Sequence, residues 1–215
     1  MEDKARNVIE FYVLCNRLKT LIRTGWKDWH VNSERLESVS EHIFGTQMLA
    51  IAMCTEYGYD LNLKKILFML AVHELEEILI GDLTQFQISR EEKVKLGHEA
   101  VEKVLSTLSN SEEIKNIILE FDERKTQEAI FAYQCDKLEC DIQCRLYDLN
   151  NCVDVNDVRN RLNFHDVDVE KMLDDGKSWS EMWMTFGRKH YNYDKNFLEL
   201  SNYAMNNDII KGKEE

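Results

Sequence analysis

An almost wholly helical, all-α fold is predicted by three features of this 215-residue sequence. Proline is absent and only 8 glycines occur, so few positions force a helix to break. Apolar residues recur near the helical period in the long segments. Three Ser-x-x-Glu patterns, Ser38 with Glu41, Ser89 with Glu92 and Ser178 with Glu181, mark helix starts.

The first helix is predicted over 3–22, where Val8, Phe11, Tyr12, Leu14, Cys15, Leu18, Leu21 and Ile22 follow helical spacing, and Arg23-Thr24-Gly25-Trp26 ends it. A second opens at Ser38 and runs to about 57, stopped by Gly58, which puts His42 in its first two turns. A third is predicted over 61–80, ending at Gly81-Asp82, and a fourth from Ser89 to about 108. A short fifth starts at Asn110 or Ser111 and ends near 122. The sixth and longest, about 126–150, turns Ile130, Phe131, Tyr133, Cys135, Leu138, Ile142, Leu146 and Leu149 to one side, with Asp136 near its middle. The polar punctuation of 151–175 reads as a loop with short helices. Ser178 restarts a helix, and Asp194 begins a last one to about 207.

Hydrophobic residues make up 44% of the chain and aromatics 10%, enough for a packed core and against disorder. With no repeat and no low-complexity linker, a single domain over 1–215 is expected, its core at about 18–150 and a C-terminal helical extension at about 151–210. The net charge of -13 disfavours nucleic-acid polymers and anionic membrane surfaces as partners. The N-terminus mixes charges among its apolar residues and does not read as a signal peptide, and the longest apolar run, 66–72, is too short to span a bilayer. A cytoplasmic protein is therefore expected. Six cysteines without a CxxC pair fit buried free thiols in a reducing compartment. The aromatic and Met-rich stretch 177–191 reads as core or dimer contact before it reads as a pocket lid.

Chemistry concentrates in the most apolar stretch, 66–80 (ILFMLAVHELEEILI), which holds the adjacent His73 and Glu74. Buried ionisable groups are costly unless paired or bound to a cation. His42 and Asp136 have similar apolar flanks, and four dispersed nitrogen and oxygen donors suggest one divalent metal ion. Such a mixed set suits Mn, Co, Fe, Ni or Zn better than Mg or Ca. Glu77, four residues beyond His73, shares its helical face. Other readings stand beside these: Glu77 as an exposed acid in a run with Glu74 and Glu76, Arg23 as a helix C-terminal cation, and Asp82 as a turn cap.

The order of His42, the pair His73-Glu74 and the later Asp136 resembles the ligand pattern of the HD-domain metal-dependent phosphohydrolases. The blocks LKTLIRTGW (18–26), ESVSEHIF (37–44), HELEEILIGD (73–82) and CDKLE (135–139) are similar to the bacterial 5'-deoxynucleotidase branch. Glu74 departs from that pattern, since the family has Asp there; it offers the same carboxylate on a stem one methylene longer. The resemblance implies metal ligation by His42, His73, Glu74 and Asp136, a catalytic Glu77, and substrate contacts from Arg23, Trp26 and Asp82. It also implies a small nucleotide substrate, hydrolysed from a (deoxy)nucleoside 5'-monophosphate to nucleoside and phosphate, and a homodimer. The rival readings are an HD-type phosphodiesterase or nucleotide pyrophosphohydrolase, a catalytically weak metal- or nucleotide-binding regulatory protein, and a metal-free helical scaffold.

Overall fold

A computed structural model describes residues 3–84, 87–157 and 167–210. Among these residues the regular structure is helical, and the only β-type pairing is an isolated antiparallel bridge between Ile22 and Ser38. The helices are α1 (Lys4–Cys15), α2 (Thr24–Asp28), α3 (Val39–Tyr57), α4 (Leu63–Val72), α5 (Glu77–Ile80), α6 (Arg90–Leu105), α7 (Glu112–Glu123), α8 (Gln127–Leu149), α9 (Val167–Asp174), α10 (Trp179–His190) and α11 (Lys195–Asn206). No helix among the described residues is long and apolar enough to cross a membrane.

Local chemistry explains most of the boundaries. Complete capping boxes open α3 at Ser38, α6 at Ser89 and α10 at Ser178, each with its Glu bonded back to the cap. Asp194 caps α11 by accepting from the backbone N–H of Asn196 and Phe197. Ahead of α8 the Thr126 hydroxyl accepts from Ala129 N at 3.2 Å.

Three predicted elements differ. The first helix ends at Cys15 and continues as a 3-10 turn over Asn16–Lys19. The segment expected to stop it contains α2, one short turn of helix. The continuous helix predicted over 61–80 is divided into α4 and α5 by tight turns at residues 73–76. His73 Nδ1 lies 2.8 Å from Leu70 O, and beyond it the backbone closes rings of the i→i+3 kind, Leu75 N to Val72 O at 3.2 Å and Glu77 N to Glu74 O at 3.2 Å. A ring nitrogen thus takes up a carbonyl of the last α4 turn. Of the region 151–175, α9 is helical, while 158–166 lie outside the described residues.

The chain divides into two compact units that are each discontinuous in sequence. The first comprises Met1–Gly25 with Glu37–Tyr133. In it α3 packs on α4, α4 on α7 and α5 on α6, over a core that includes Met53, Ile66, Met69, Leu70, Val104, Leu105, Ile118 and Phe131. Backbone bonds from Arg23 N to Glu37 O (3.0 Å) and from Val39 N to Leu21 O (2.8 Å) fasten 21–23 beside the start of α3.

The second unit comprises Trp26–Leu36 with Gln134–Glu215. Its core gathers Trp26, Trp29, Val31, Cys144, Tyr147, Val169, Met172, Trp179 and Met182. The methionine and aromatic residues of α10 belong largely to this core, which answers the core reading of 177–191.

Candidate metal centre

His42 enters the centre because the Ser38–Glu41 capping box fixes where α3 begins, one turn before it. His73 and Glu74 enter because α4 ends at Val72 and the tight turn after it directs both side chains inward. Their ligand atoms lie within 4.8 Å of one another. His42 Nε2 is 3.8 Å from Glu74 Oε1, and His73 Nε2 is 3.6 Å from the same oxygen. All three side chains are buried, His42 completely.

The donors suit a borderline divalent cation. A carbonyl oxygen only accepts, so His73 Nδ1 carries the proton in its bond to Leu70 O. The lone pair is left on Nε2, the atom that faces Glu74 and His42. Fixing the tautomer through the distal nitrogen is how metal-binding imidazoles are commonly oriented.

Arg23 and Asp82 flank the carboxylate side. Arg23 Nη1 lies 3.4 Å from Glu74 Oε1, and its Nε lies 3.9 Å from Asp82 Oδ2. Asp82 Oδ2 also accepts from Thr24 N at 2.6 Å. Gly81, at φ 76°, makes the turn that brings Asp82 back toward Thr24, a conformation that favours glycine. The polar partner of Asp82 in this bond is the first residue of α2, not the turn that follows Asp82.

Glu77 is 1% exposed, and among the described residues neither carboxylate oxygen has a hydrogen-bond partner. Burial, then the charges of Glu74 and Asp82, hold its pKa well above the usual carboxylate value, while Arg23 and Lys93 pull the other way. Neighbouring Glu76 is pushed up to about 8 by burial and by Glu74. The reading of Glu77 as an exposed acid is therefore overturned.

Asp136 is on α8 and is described with the second unit; it is 4% exposed, with Lys137 Nζ 2.9 Å from its Oδ2. Trp26, expected as a substrate contact, lies in the second unit. It is 1% exposed in the second unit's core, its ring centroid 5.3 Å from Tyr147 and 5.5 Å from Trp183. Of the other histidines, His30 lies by Asp157, His98 by Asp122 and His190 by Phe186 O, while His165 falls outside the described residues.

Sequence reasoning missed Lys93, on α6, whose Nζ lies 3.6 Å from Glu77 Oε1. Its only sequence signal was a basic residue directly after the capping box of Ser89 and Glu92.

The profile of the HD domain family matches residues 15–175. A protein of Dictyostelium discoideum named 5'-deoxynucleotidase HDDC2 is 37% identical over 152 residues, covering 66% of this chain and 78% of that one. The Schizosaccharomyces pombe 5'-deoxynucleotidase hdd1 is 32% identical over 143 residues, covering 63% and 70%. A solved structure from Pyrococcus horikoshii superposes with a TM-score of 0.58 at 25% identity, covering 84% of this chain and 98% of that one. A structure from Magnetospirillum magnetotacticum, described as a predicted metal-dependent phosphohydrolase, gives 0.58 at 17% identity, covering 94% and 95%, a likeness of fold.

Proposed function

This chain belongs to the HD-domain family, and from that membership we propose that it is a metal-dependent 5'-nucleotidase that hydrolyses deoxynucleoside 5'-monophosphates to nucleoside and inorganic phosphate. The observation that carries the reading is the buried convergence of His42, His73 and Glu74 beside Arg23 and Glu77, in a chain whose relatives carry the name 5'-deoxynucleotidase. We assign Asp136 as the fourth ligand on the strength of the block CDKLE and its burial. A divalent ion held by these four supplies positive charge to the phosphoryl oxygens and makes water a stronger acid.

The protein's own groups do the rest. Arg23 offers a planar fork of donors to the phosphate, an anion it can grip bidentately. Asp82 accepts from a sugar hydroxyl. Water attacks phosphorus, the bond from phosphorus to the 5'-oxygen breaks, and Glu77 carries the proton from water to the leaving oxygen. Burial raises the pKa of this carboxyl, which suits it to take up a proton in transit.

The same reading makes residues 1–215 one catalytic domain in a cytoplasmic homodimer, for which six cysteines without a CxxC pair suit a reducing compartment and light scattering provides the test of assembly. The function itself is tested by phosphate release from a panel of 5'-deoxynucleoside and 5'-ribonucleoside monophosphates. Chelator-stripped protein receives Mn, Co, Ni, Zn or Mg singly, with His73→Ala as control. Metal-dependent release that is lost in the control is the expected result. Turnover of diesters or nucleoside triphosphates alone would turn the assignment to the phosphodiesterase or pyrophosphohydrolase reading.

A further inference from the structure

Lys93 sits where helix electrostatics least favour a cation. It follows Glu91 and Glu92 in the opening turns of α6, the end at which the helix dipole favours acids. Its ammonium is nevertheless held in place: Nζ donates to Leu83 O at 3.0 Å and lies 3.6 Å from Glu77 Oε1.

These contacts form a small closed circuit. Gly81 N donates to Glu77 O at 3.0 Å, so the segment 81–83 is tied to the backbone of α5 at one end. At its other end Leu83 O holds the Lys93 ammonium, which returns to the Glu77 side chain. Asp82, between the two ties, is bonded to Thr24 N. The only polar neighbour so fixed beside the buried Glu77 oxygens, among the described residues, is this ammonium.

Arg23 also lowers the cost of charge on Glu77, but its guanidinium is already directed at Glu74 and Asp82. Lys93 keeps its own charge, because Glu74, Glu77, Glu76 and Asp82 together outweigh the burial that opposes it.

We propose that Lys93 is a positioning residue for proton transfer by Glu77, holding the carboxylate in one orientation and keeping a fixed positive charge beside it. This rests on the reading of Glu77 as the acid/base. Removing the ammonium while keeping the stem takes away the ion-pair partner of the buried carboxylate, which slows chemistry without touching the groups assigned to the metal or the phosphate.

The test is a double-mutant cycle on deoxynucleoside 5'-monophosphates at saturating metal, with Lys93→Met and Lys93→Arg made in the wild-type and Glu77→Gln backgrounds. Lys93→Met is expected to lower kcat by about 10- to 100-fold, part of the range typical of general acid–base groups. KM should stay within about threefold, as expected when ground-state binding is untouched. Metal content and the thermal melt should be retained, Lys93→Arg should recover most of the rate, and Lys93→Met should add nothing once Glu77 is Gln. An equal loss in both backgrounds, a loss confined to KM, full wild-type activity, or a missing cooperative melt would each overturn the proposal. If wild type is inactive on monophosphates but cleaves diesters, the nucleotidase reading falls and the same cycle on the diester decides Lys93. A protein inactive on every phosphate ester brings both down.

Discussion

Arg23 Nη1 stands 3.4 Å from Glu74 Oε1, the same oxygen that lies 3.6 Å from His73 Nε2 and 3.8 Å from His42 Nε2. One carboxylate oxygen thus stands between the guanidinium assigned to phosphate and the imidazoles assigned to the metal.

On the proposed assignment, a cation would compete with Arg23 for Glu74, and phosphate would relieve the competition by drawing the guanidinium away. Inorganic phosphate should tighten metal binding by about five- to tenfold, the low end of usual coupling between sites. Arg23→Met should bind metal more tightly than wild type and lose the phosphate effect. Isothermal titration with and without phosphate measures both; an unchanged phosphate effect in the variant would remove Arg23 from the coupling.

Glu77→Gln keeps size and polarity and removes the ability to carry a proton. Its kcat should fall by about 100- to 10,000-fold, the usual contribution of a general acid–base group. Bound metal, counted by elemental analysis, should stay at the wild-type level. Loss of the metal instead would make Glu77 a ligand or a support for one.

Asp141 is buried in the second unit, where Tyr193 Oη donates to its Oδ2 at 2.9 Å. Burial pushes its pKa up to about 8, against hydrogen bonds from Tyr193 and Trp183 and the charge of Arg188. The folded state therefore holds a proton that the unfolded chain releases near pH 4. The stabilisation is complete below that pH and is lost as pH rises through about 8. Asp141→Asn cannot ionise, so its Tm relative to wild type should rise steadily between pH 4 and pH 8. Parallel Tm curves for the two proteins would refute the assignment.

Gly187 on α10 packs against that carboxylate. A Cβ there would lie 3.0 Å from Asp141 Oδ2, 3.1 Å from Oδ1 and 3.0 Å from Tyr191 Cε2. Gly187→Ala should cost about 1–3 kcal/mol, the usual range for overpacking, visible as a drop of several degrees in Tm. A neutral or stabilised variant would show that the carboxylate and the Tyr191 ring move aside freely.

The starts of α3, α6 and α10 were legible because a capping box is written in four consecutive residues. The division of α4 from α5 was not, since the apolar pattern continues through it, while the break is accompanied by a ring nitrogen at Leu70 O. His42, His73 and Glu74 could be picked out by their apolar surroundings, whereas Lys93 could not, because sixteen residues separate it from Glu77 and only folding brings them near. Arg23 and Trp26 share one block, although the unit boundary falls between Gly25 and Trp26. Sequence proximity says little about which core a side chain joins.

All four tryptophans of the chain, Trp26, Trp29, Trp179 and Trp183, belong to the aromatic packing of the second unit. Intrinsic tryptophan emission is consequently a spectroscopic label confined to that unit, supplied without any engineered probe. A denaturation curve followed by this emission tracks the second unit alone, while far-ultraviolet dichroism sums the helices of both. Coincidence of the two curves would mean that the halves melt together, and separation would give each its own stability.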